Sequence, residues 1–259
     1  MPMKFVPKQL VETADLSRGQ TGFRLFLRNT LLVAAFFVGL YLVLGVIGEV
    51  LARYIPDRWE KQLAGMTPFE LDHHSERLET VRPILERLLA AEEDPRDLDY
   101  SLFLLDWEVP NAFAVPGGGI GVTPGLLENI HSERGLAFVL AHELGHHQHR
   151  HIPRRLGRGL VYGLTGAVLF GSDALYPVRS VYELAETGYS RKQEREADVY
   201  ALDLVFATYG EVDGSLEFFE LMLAEDNNAR WSQYFQTHPL TGERIEYLRE
   251  RMARLEDGD

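Results

Sequence analysis

The stretch GLAFVLAHELGHH, residues 135–147, predicts a buried helix that ends in a polar cluster. His142 and His146 are four residues apart, so on a helix both imidazoles lie on one face and can bind the same ion. Glu143 lies about 100° around the helix, where it can reach a water molecule on that ion without binding the ion itself. The apolar run before the histidines favours a metal site in the core over a solvated, histidine-rich helix end.

A third protein ligand has to come from elsewhere, because catalytic zinc is usually held by three side chains with one position open to water. The chain has no cysteine, which leaves histidine, aspartate and glutamate. Glu194 is the preferred candidate, because Asp198 follows it by one helical turn and can accept a hydrogen bond from a ligating imidazole. Glu196 is the competing carboxylate, but it points about 200° away from Glu194 and has no carboxylate one turn later.

Small residues occur in both segments that would carry the ligands. Gly145 lies inside the first motif, and Ala197 and Ala201 lie in the segment around Glu194. They predict that the two helices pack closely together.

The other histidines have different expected roles. His149 is nearly on the ligand face, but it lies a further turn along, about 4.5 Å beyond the second ligand, where three imidazoles in one row cannot easily surround an ion. His147 and His151 point elsewhere and are expected at the surface or beside a ligand. His73 and His74 belong to a charged predicted helix and are expected to be solvated.

Composition limits the class of protein. The chain has 259 residues, 46% of them hydrophobic and 25% charged, which is typical of one folded domain with an appendage. Its net charge of −13 argues against nucleic acid as a partner, since binding phosphates needs a basic surface.

One segment is far more apolar than the rest. Residues 30–48 contain no charge, and as a helix they would span about 28 Å, close to the hydrocarbon thickness of a bilayer. A buried core helix and a signal peptide are the alternatives, but signal cores are usually about 7–15 residues long and no A-x-A site follows. Five basic residues precede the segment and three follow it closely, which predicts a cytoplasmic N-terminus and a single-pass protein with its domain on the extracytoplasmic side.

We therefore predict a cytoplasmic tail over residues 1–29, a transmembrane anchor over 30–51, a linker over 52–69 and one domain over 70–259. Within the domain, a helical pattern is expected to be kinked or split by a proline, and short strands precede the first motif. Helix starts follow the strands, and the remainder reads as helical. The fold class is α+β, predominantly helical, with a small sheet beside the motif helix. The sequence features used for this prediction are a helix break at Pro83, strands in 101–107, 111–115 and 120–122, helix starts at Thr123-Pro124 and Ser132, and helical patterns beyond residue 155.

Taken together, the motifs resemble the HtpX-like zinc peptidases, a group that includes the type I CAAX prenyl proteases and the periplasmic quality-control peptidase BepA. The resemblance covers about residues 70–250. It rests on HELGH followed by Arg150-His151, Ser190-Arg191 leading to E-x-E-A-D, NAF followed by a glycine run and V-T-x-G-L-L, and the late His238-Pro239.

The resemblance implies a zincin-like domain with metalloendopeptidase activity and one Zn²⁺ per chain. By the same match, His142, His146 and Glu194 are the metal ligands and Glu143 is the catalytic base. A His-His-Glu set favours zinc, although cobalt and manganese stay open from sequence. Asp198 is expected to hold a ligating imidazole in place.

The resemblance also places an extended polypeptide substrate along residues 111–122, as a β-strand added to an exposed sheet edge. The expected contacts are Asn111, Ala112, Phe113, Gly117 and Gly118. The glycines could equally form an ordinary hairpin turn.

Two later residues, His238 and Arg244, are candidate donors to the oxyanion of the reaction. His238 could instead cap a helix that begins near Pro239.

The chain departs from HtpX in its membrane segments, since HtpX has further transmembrane helices between the two parts of the metal site. Here that interval contains 13 uncharged residues, 159–171. The two parts must meet on one side of the membrane, and a stretch this short cannot cross twice, so it does not cross at all. A core helix and a helix that dips into the lipid surface both stay open.

The resulting hypothesis is a membrane-anchored zinc endopeptidase that hydrolyses unfolded or extended polypeptides with a metal-activated water. A role in quality control of misfolded envelope proteins, from a bacterial inner membrane, fits best. The alternatives are a CAAX-type prenyl-protein protease, which usually needs a multi-helix membrane chamber, and a chaperone-like protein that binds without cleaving. A metal store or sensor fits less well, because a base beside an open position is built to react.

Overall fold

The computed structural model describes residues 22–64, 71–170, 188–224, 232–239 and 241–257. The chain divides into two compact units, residues 1–42 and 43–259. Helix α1 (Phe23–Ala52) begins in the first unit and ends in the second. It contains the whole of the predicted anchor and the last residues of the predicted tail, whose first 21 residues lie outside the described part. Among the described helices, α1 alone is long and apolar enough to cross a membrane.

The stretch predicted to be a linker is folded where it is described, which corrects that prediction. Helix α2 (Asp57–Ala64) occupies eight of its residues, and the Glu60 side chain of this helix is fully buried. The physical reason is an ion pair: Arg96, from a loop of the domain, lies 2.5 Å from the Glu60 carboxylate and 2.6 Å from that of Asp57. Residues 65–69 of the predicted linker lie outside the described part.

The predicted helix around Pro83 is split, as expected. A short 3₁₀ turn (Glu76–Leu78) precedes α3 (Arg82–Ala91), and the proline occupies the first turn of α3, where its missing N–H has no partner to lose. Buried leucines of both pieces join the core.

Three short strands form a sheet at the predicted positions: β1 (Ser101–Leu104), β2 (Ala112–Val115) and β3 (Gly119–Val122). Their order is β1-β3-β2, with β1 parallel and β2 antiparallel to β3. The turn between β2 and β3 needs Gly117 and Gly118, whose φ angles are +88° and +106°, a region that glycine adopts without strain. The glycine run is therefore a hairpin turn.

The exposure predicted for the edge of this sheet is wrong. In the described part of the chain β2 pairs only with β3, so it is an outer strand as expected. However, all four of its residues are buried, and one face of the strand packs against the motif helix.

Two of the remaining helices begin at the predicted caps, Thr123 and Ser132, and helices dominate the second unit. Thr123 caps α4 by accepting a hydrogen bond from Leu126 N (3.2 Å). The motif helix, α5, ends at Gln148, before Pro153. These helices are α4 (Pro124–Asn129), α5 (Glu133–Gln148), α6 (His151–Phe170), α7 (Arg191–Tyr209), α8 (Glu217–Ala224), α9 (Ser232–Thr237) and α10 (Gly242–Asp257).

The core lies where α5 and α7 pack along each other, with α3, α10 and the sheet around them. The fold is thus α+β and mostly helical, with a small sheet beside α5, and the predicted fold class is confirmed. Helix α6 covers residues 159–170 of the uncharged stretch, and Gly171 lies outside the described part.

Candidate metal centre

Helix α5 is fixed at its start and buried along its length. Ser132 accepts a hydrogen bond from Gly135 N (2.9 Å). The Glu217 carboxylate of α8 accepts two more, from the backbone N–H groups of His131 and Ser132 (2.9 and 2.8 Å). Because the apolar residues that follow fill the core, the end of the helix carries its polar side chains into the interior. The side chains delivered there are at most 1% exposed: His142, Glu143 and His146.

Helix α7 approaches α5 closely enough to bring a carboxylate to the two histidines. Its start is held by a capping box between Ser190 and Gln193. A Cβ atom on Gly145 would lie 2.9 Å from the Cα atom of Ala197, so only glycine allows this contact. The close packing predicted from small residues is present, and it carries Glu194 to the site.

Four side chains converge at the centre, and their potential ligand atoms lie within 4.8 Å of one another. His142 Nε2 and His146 Nε2 are 3.1 Å apart. The Glu194 carboxylate lies 3.6 Å from the first and 3.5 Å from the second. His238, which precedes α10, places its Nδ1 3.1 Å from Glu194 Oε1.

This donor set fits a zinc ion. Imidazole nitrogens and a carboxylate are ligands that zinc prefers, and two histidines with one glutamate leave the fourth position of a tetrahedral ion open. The Glu143 carboxylate lies beside the group, 3.6 Å from His238 Nε2. In the described part of the chain, neither of its oxygens has a hydrogen-bond partner, so it is free to bond to a molecule on the ion.

Two further side chains hold the ligands in place. Asp198 Oδ1 lies 2.9 Å from His142 Nδ1, on the far side of the imidazole from the site. Arg244 donates to both carboxylate oxygens of Asp198 and lies 2.5 Å from Glu194 Oε2. Its guanidinium therefore contacts carboxylates that surround the centre.

The neighbouring histidines are more deeply placed than sequence predicted. His151 is fully buried, and its two ring nitrogens contact His146 Nδ1 (2.9 Å) and Glu196 Oε2 (3.0 Å). It lies beside a ligand, which was one of its two expected positions. His147 is also fully buried, and its Nε2 contacts the Gly119 carbonyl of β3 (3.1 Å), so neither residue is at the surface. Burial lowers the pKa of His147 to about 3.

The remaining histidines near the motif and the first strand lie outside the ligand group. His149 is exposed and stacks on His151, with 5.5 Å between ring centres. His73 is not on a helix: its Nδ1 contacts the Leu102 carbonyl (2.9 Å), so its predicted solvation is corrected by this contact with the sheet. His74 is exposed.

Tyr189 and Arg155 were not singled out from the sequence, although both lie at the centre. The Tyr189 ring stacks on His146, with 3.6 Å between ring centres and 15° between planes. The Arg155 guanidinium lies 3.9 Å from the centre of the Tyr189 ring and donates to its hydroxyl (3.1 Å). The position of Tyr189, directly before the Ser190 cap, was the signal in the sequence that could have identified it.

Burial and charge set the protonation of the carboxylates in opposite directions. Burial raises the pKa of Glu143, and the nearby His238 only partly offsets this effect. Burial would also raise the pKa of Glu194, but His238 and Arg244 hold it well below the ordinary value. Glu194 is therefore an anion suited to binding a cation. Glu143 instead holds a proton more strongly than an ordinary glutamate, which is the property that a general base needs in order to accept a proton and later return it.

The predicted substrate contacts lie on β2 and its turn. Asn111 directly precedes the strand, and its side-chain oxygen is buried without a partner among the described residues. Ala112 and Phe113 pair with Val122 and Gly121 of β3. The two turn glycines approach other backbone closely: a Cβ atom would lie 2.6 Å from Ala64 Cβ at Gly117, and 2.9 Å from Asp99 C at Gly118.

Residues 75–252 match the sequence model described as Peptidase family M48. The chain is 31% identical over 188 residues to the mitochondrial metalloendopeptidase OMA1 of Schizosaccharomyces pombe, covering 69% of this chain and 55% of that protein. It is 30% identical over 150 residues to the metalloprotease LoiP of Escherichia coli, covering 55% and 59%.

It is also 28% identical over 179 residues to a candidate beta-barrel assembly-enhancing protease of Vibrio cholerae, covering 64% and 37%. The chain spans about half the length of the curated relatives it matches. These matches agree with the resemblance that the motifs indicated.

Proposed function

The chain belongs to peptidase family M48, and on that basis we propose that it is a zinc-dependent metalloendopeptidase held to a membrane by α1. One observation carries the proposal: the ligand atoms of His142, His146 and Glu194 converge beside the carboxylate of Glu143, whose oxygens have no hydrogen-bond partner among the described residues. Three ligands with a neighbouring base are what hydrolysis by an activated water requires.

In this proposal His142, His146 and Glu194 bind the ion. A bound zinc ion would polarise the scissile carbonyl and make a water molecule more acidic. Glu143 removes a proton from the attacking water with a carboxylate oxygen and returns it to the leaving amine, so that one water is added across one peptide bond.

The other buried polar residues position these groups. Asp198 contacts the far nitrogen of His142, which fixes the tautomer that turns Nε2 toward the ion. Arg244 contacts both Asp198 and Glu194 and keeps their negative charges compensated. This geometry favours a positioning role for Arg244 over the oxyanion contact predicted from sequence. His238 faces both Glu143 and Glu194 and stays the candidate oxyanion donor.

The substrate class follows from the position of β2. An extended polypeptide added beside this outer strand would lie along α5 and present a peptide bond to the centre. Because the residues of β2 are buried, the groups that cover its free edge have to move before a substrate strand can pair with it. Unfolded or misfolded proteins of the cell envelope are the substrates that best match this mode of binding. The distribution of basic residues around α1 supports an extracytoplasmic domain, in a bacterial inner membrane.

Casein cleavage by the full chain in lipid vesicles tests the activity. We expect cleavage that a chelator stops and added zinc restores, and that Glu143→Gln abolishes while leaving the zinc content unchanged. Glu246→Gln, an exposed glutamate on α10, is the matched control and should cleave normally. Cleavage that survives the chelator, or no cleavage by folded, zinc-loaded protein, would contradict the proposal. Retained function of Glu143→Gln in cells would favour the chaperone-like alternative.

A further inference from the structure

Helix α6 packs against the last turns of α1 and the residues that follow it. Arg150, just before α6, donates from its guanidinium to the Ile55 carbonyl (2.7 Å). One turn later Arg154 pairs with Glu49 (2.6 Å). These contacts join the end of the anchor helix to the helix that begins directly after the metal-binding motif.

The two helices touch through glycines. A Cβ atom on Gly157 would lie 2.7 Å from the Gly48 carbonyl oxygen, and one on Gly48 would lie 2.7 Å from Cγ2 of Val161. Such close contact between backbones is typical of helices that associate within a membrane, where small residues let them approach.

The contacts fix the direction in which α6 runs. Arg150 contacts Ile55, Arg154 contacts Glu49, and Val161 lies against Gly48. Later residues of this segment therefore contact earlier residues of α1 and its continuation. The two helices are therefore antiparallel. Beyond Val161, α6 continues for nine residues in the direction that leads away from Glu49, which is the direction from Glu49 toward residue 43 of α1.

The uncharged stretch of α1 and that of α6 are bordered by charged residues at the same level along the helix pair. Glu49 is the first charged residue after the uncharged stretch of α1, and it pairs with Arg154 and lies 3.5 Å from Arg158. Arg158 is the last charged residue of α6. Past this level the sequence of α6 is GLVYGLTGAVLF, residues 159–170, without a charge.

We propose that residues 159–170 of α6 insert into one leaflet of the bilayer beside the anchor, so that lipid acyl chains are the partner of this segment. The inference rests on the proposed anchoring by α1, whose interface it continues. Twelve helical residues reach about 18 Å, which suffices for one leaflet but not for a hydrocarbon core of about 30 Å. The segment therefore does not cross the bilayer, so both parts of the metal centre stay on one side of it.

The polar groups of the segment are compatible with lipid. Helical backbone satisfies its own hydrogen bonds, which is the condition for entering hydrocarbon. The Thr165 hydroxyl donates to the Val161 carbonyl (2.8 Å) within the helix, so it also needs no water. The catalytic motif would then be held at the membrane surface by two helices instead of one.

Because the chain has no cysteine, single cysteines can report the surroundings of α6 directly. Leu164→Cys and Leu169→Cys are five positions apart and sample directions about 140° apart around the helix. Each variant of the full chain would carry an environment-sensitive fluorophore in phosphatidylcholine–phosphatidylglycerol vesicles. Acyl-chain-brominated phospholipid and aqueous iodide serve as the two quenchers. Val38→Cys in α1 and Glu250→Cys, which is 64% exposed on α10, are the lipid and water controls.

We expect brominated lipid to quench at least one of the two α6 positions as strongly as it quenches Val38→Cys, and iodide to quench neither. Iodide quenching at the level of Glu250→Cys would overturn the proposal by placing α6 in water. Protection from both quenchers at both positions would overturn it by placing α6 inside the protein. If lipid fails to quench Val38→Cys as well, the anchoring itself is wrong, and the insertion of α6 falls with it.

Discussion

At the scale of single residues, Arg244 connects the parts of the candidate metal centre. It lies on α10, yet it contacts Glu194 and Asp198 of α7, and Asp198 in turn contacts the proposed ligand His142. Three charged side chains in a dry interior are stable only when each is paired. Loss of the guanidinium would leave two buried carboxylates without their cation.

We predict that Arg244→Gln lowers zinc affinity by about 10–100-fold, the usual cost of removing a partner of a ligand, and lowers casein cleavage with it. Competition with a chelator measures the affinity. Arg251→Gln is the matched control, because Arg251 pairs with Asp203 across the same two helices (2.7 Å) but away from the centre. Equal zinc affinity in the Arg244 variant and the Arg251 variant would show that the guanidinium does not support the site.

A second prediction concerns Glu143 and the stability of the metal-free protein at different pH values. Its side chain is fully buried, and burial raises its pKa. The unfolded chain therefore releases this proton at lower pH than the folded chain does. Consequently, the contribution of Glu143 to the free energy of unfolding falls as pH rises past the ordinary glutamate pKa of 4.5.

We expect Glu143→Gln to raise the unfolding free energy of the metal-free protein by about 1–3 kcal/mol at about pH 8, and by less at about pH 4, where the carboxyl is neutral in both states. Urea unfolding at the two pH values measures the difference. Glu246→Gln should change stability at neither value. A stability gain that does not depend on pH would rule out the burial of an ionisable group as its cause.

The sequence predicted part of this centre, because helical spacing alone brings His142, His146 and Glu143 together. The roles of these residues and of Glu194 stay predictions. Sequence did not identify Tyr189, since its stacking on His146 depends on how α7 lies against α5. Nor did it predict that His238 contacts Glu194, because that position depends on the turn before α10.

At the scale of elements, the approach of α5 to α7 decides whether the centre forms. The contact is backbone to backbone: a Cβ atom on Gly145 would meet Ala197 Cα at 2.9 Å and Ala197 O at 3.1 Å. A helix backbone cannot move aside as a flexible side chain can.

We predict that Gly145→Ala lowers the unfolding free energy by about 1–3 kcal/mol, the usual range for overpacking, and reduces zinc binding because Glu194 moves with α7. Gly242→Ala is the control, since a Cβ atom there meets nothing within 4 Å. Thermal unfolding and zinc content measure both effects. A Gly145→Ala protein as stable as the Gly242→Ala protein would contradict the close packing of these helices.

The elements that sequence predicted best have local signals. Pro83 marks a break, Thr123 and Ser132 are caps, and Gly117 permits a hairpin turn. The prediction failed for α2, because eight mostly polar residues resemble a linker until Arg96, far along the chain, supplies the partner that buries Glu60.

At the scale of the whole molecule, the candidate centre is assembled from distant parts of one chain. Glu194 is separated from the motif by α6 and by residues outside the described part, so no local pattern determines that it reaches the histidines. Glu196, two residues later, instead contacts His151 (3.0 Å) behind His146. The fold thus gives the two carboxylates of the E-x-E motif separate positions.

Zinc content per chain of purified Glu194→Gln and Glu196→Gln proteins, measured by elemental mass spectrometry, tests the central claim most directly. Both substitutions remove one carboxylate from the same turn of α7. We predict one zinc per chain in the unaltered protein and in Glu196→Gln, and loss of zinc with loss of casein cleavage in Glu194→Gln. Zinc retained in Glu194→Gln, or lost in Glu196→Gln alone, would contradict the assigned ligand set.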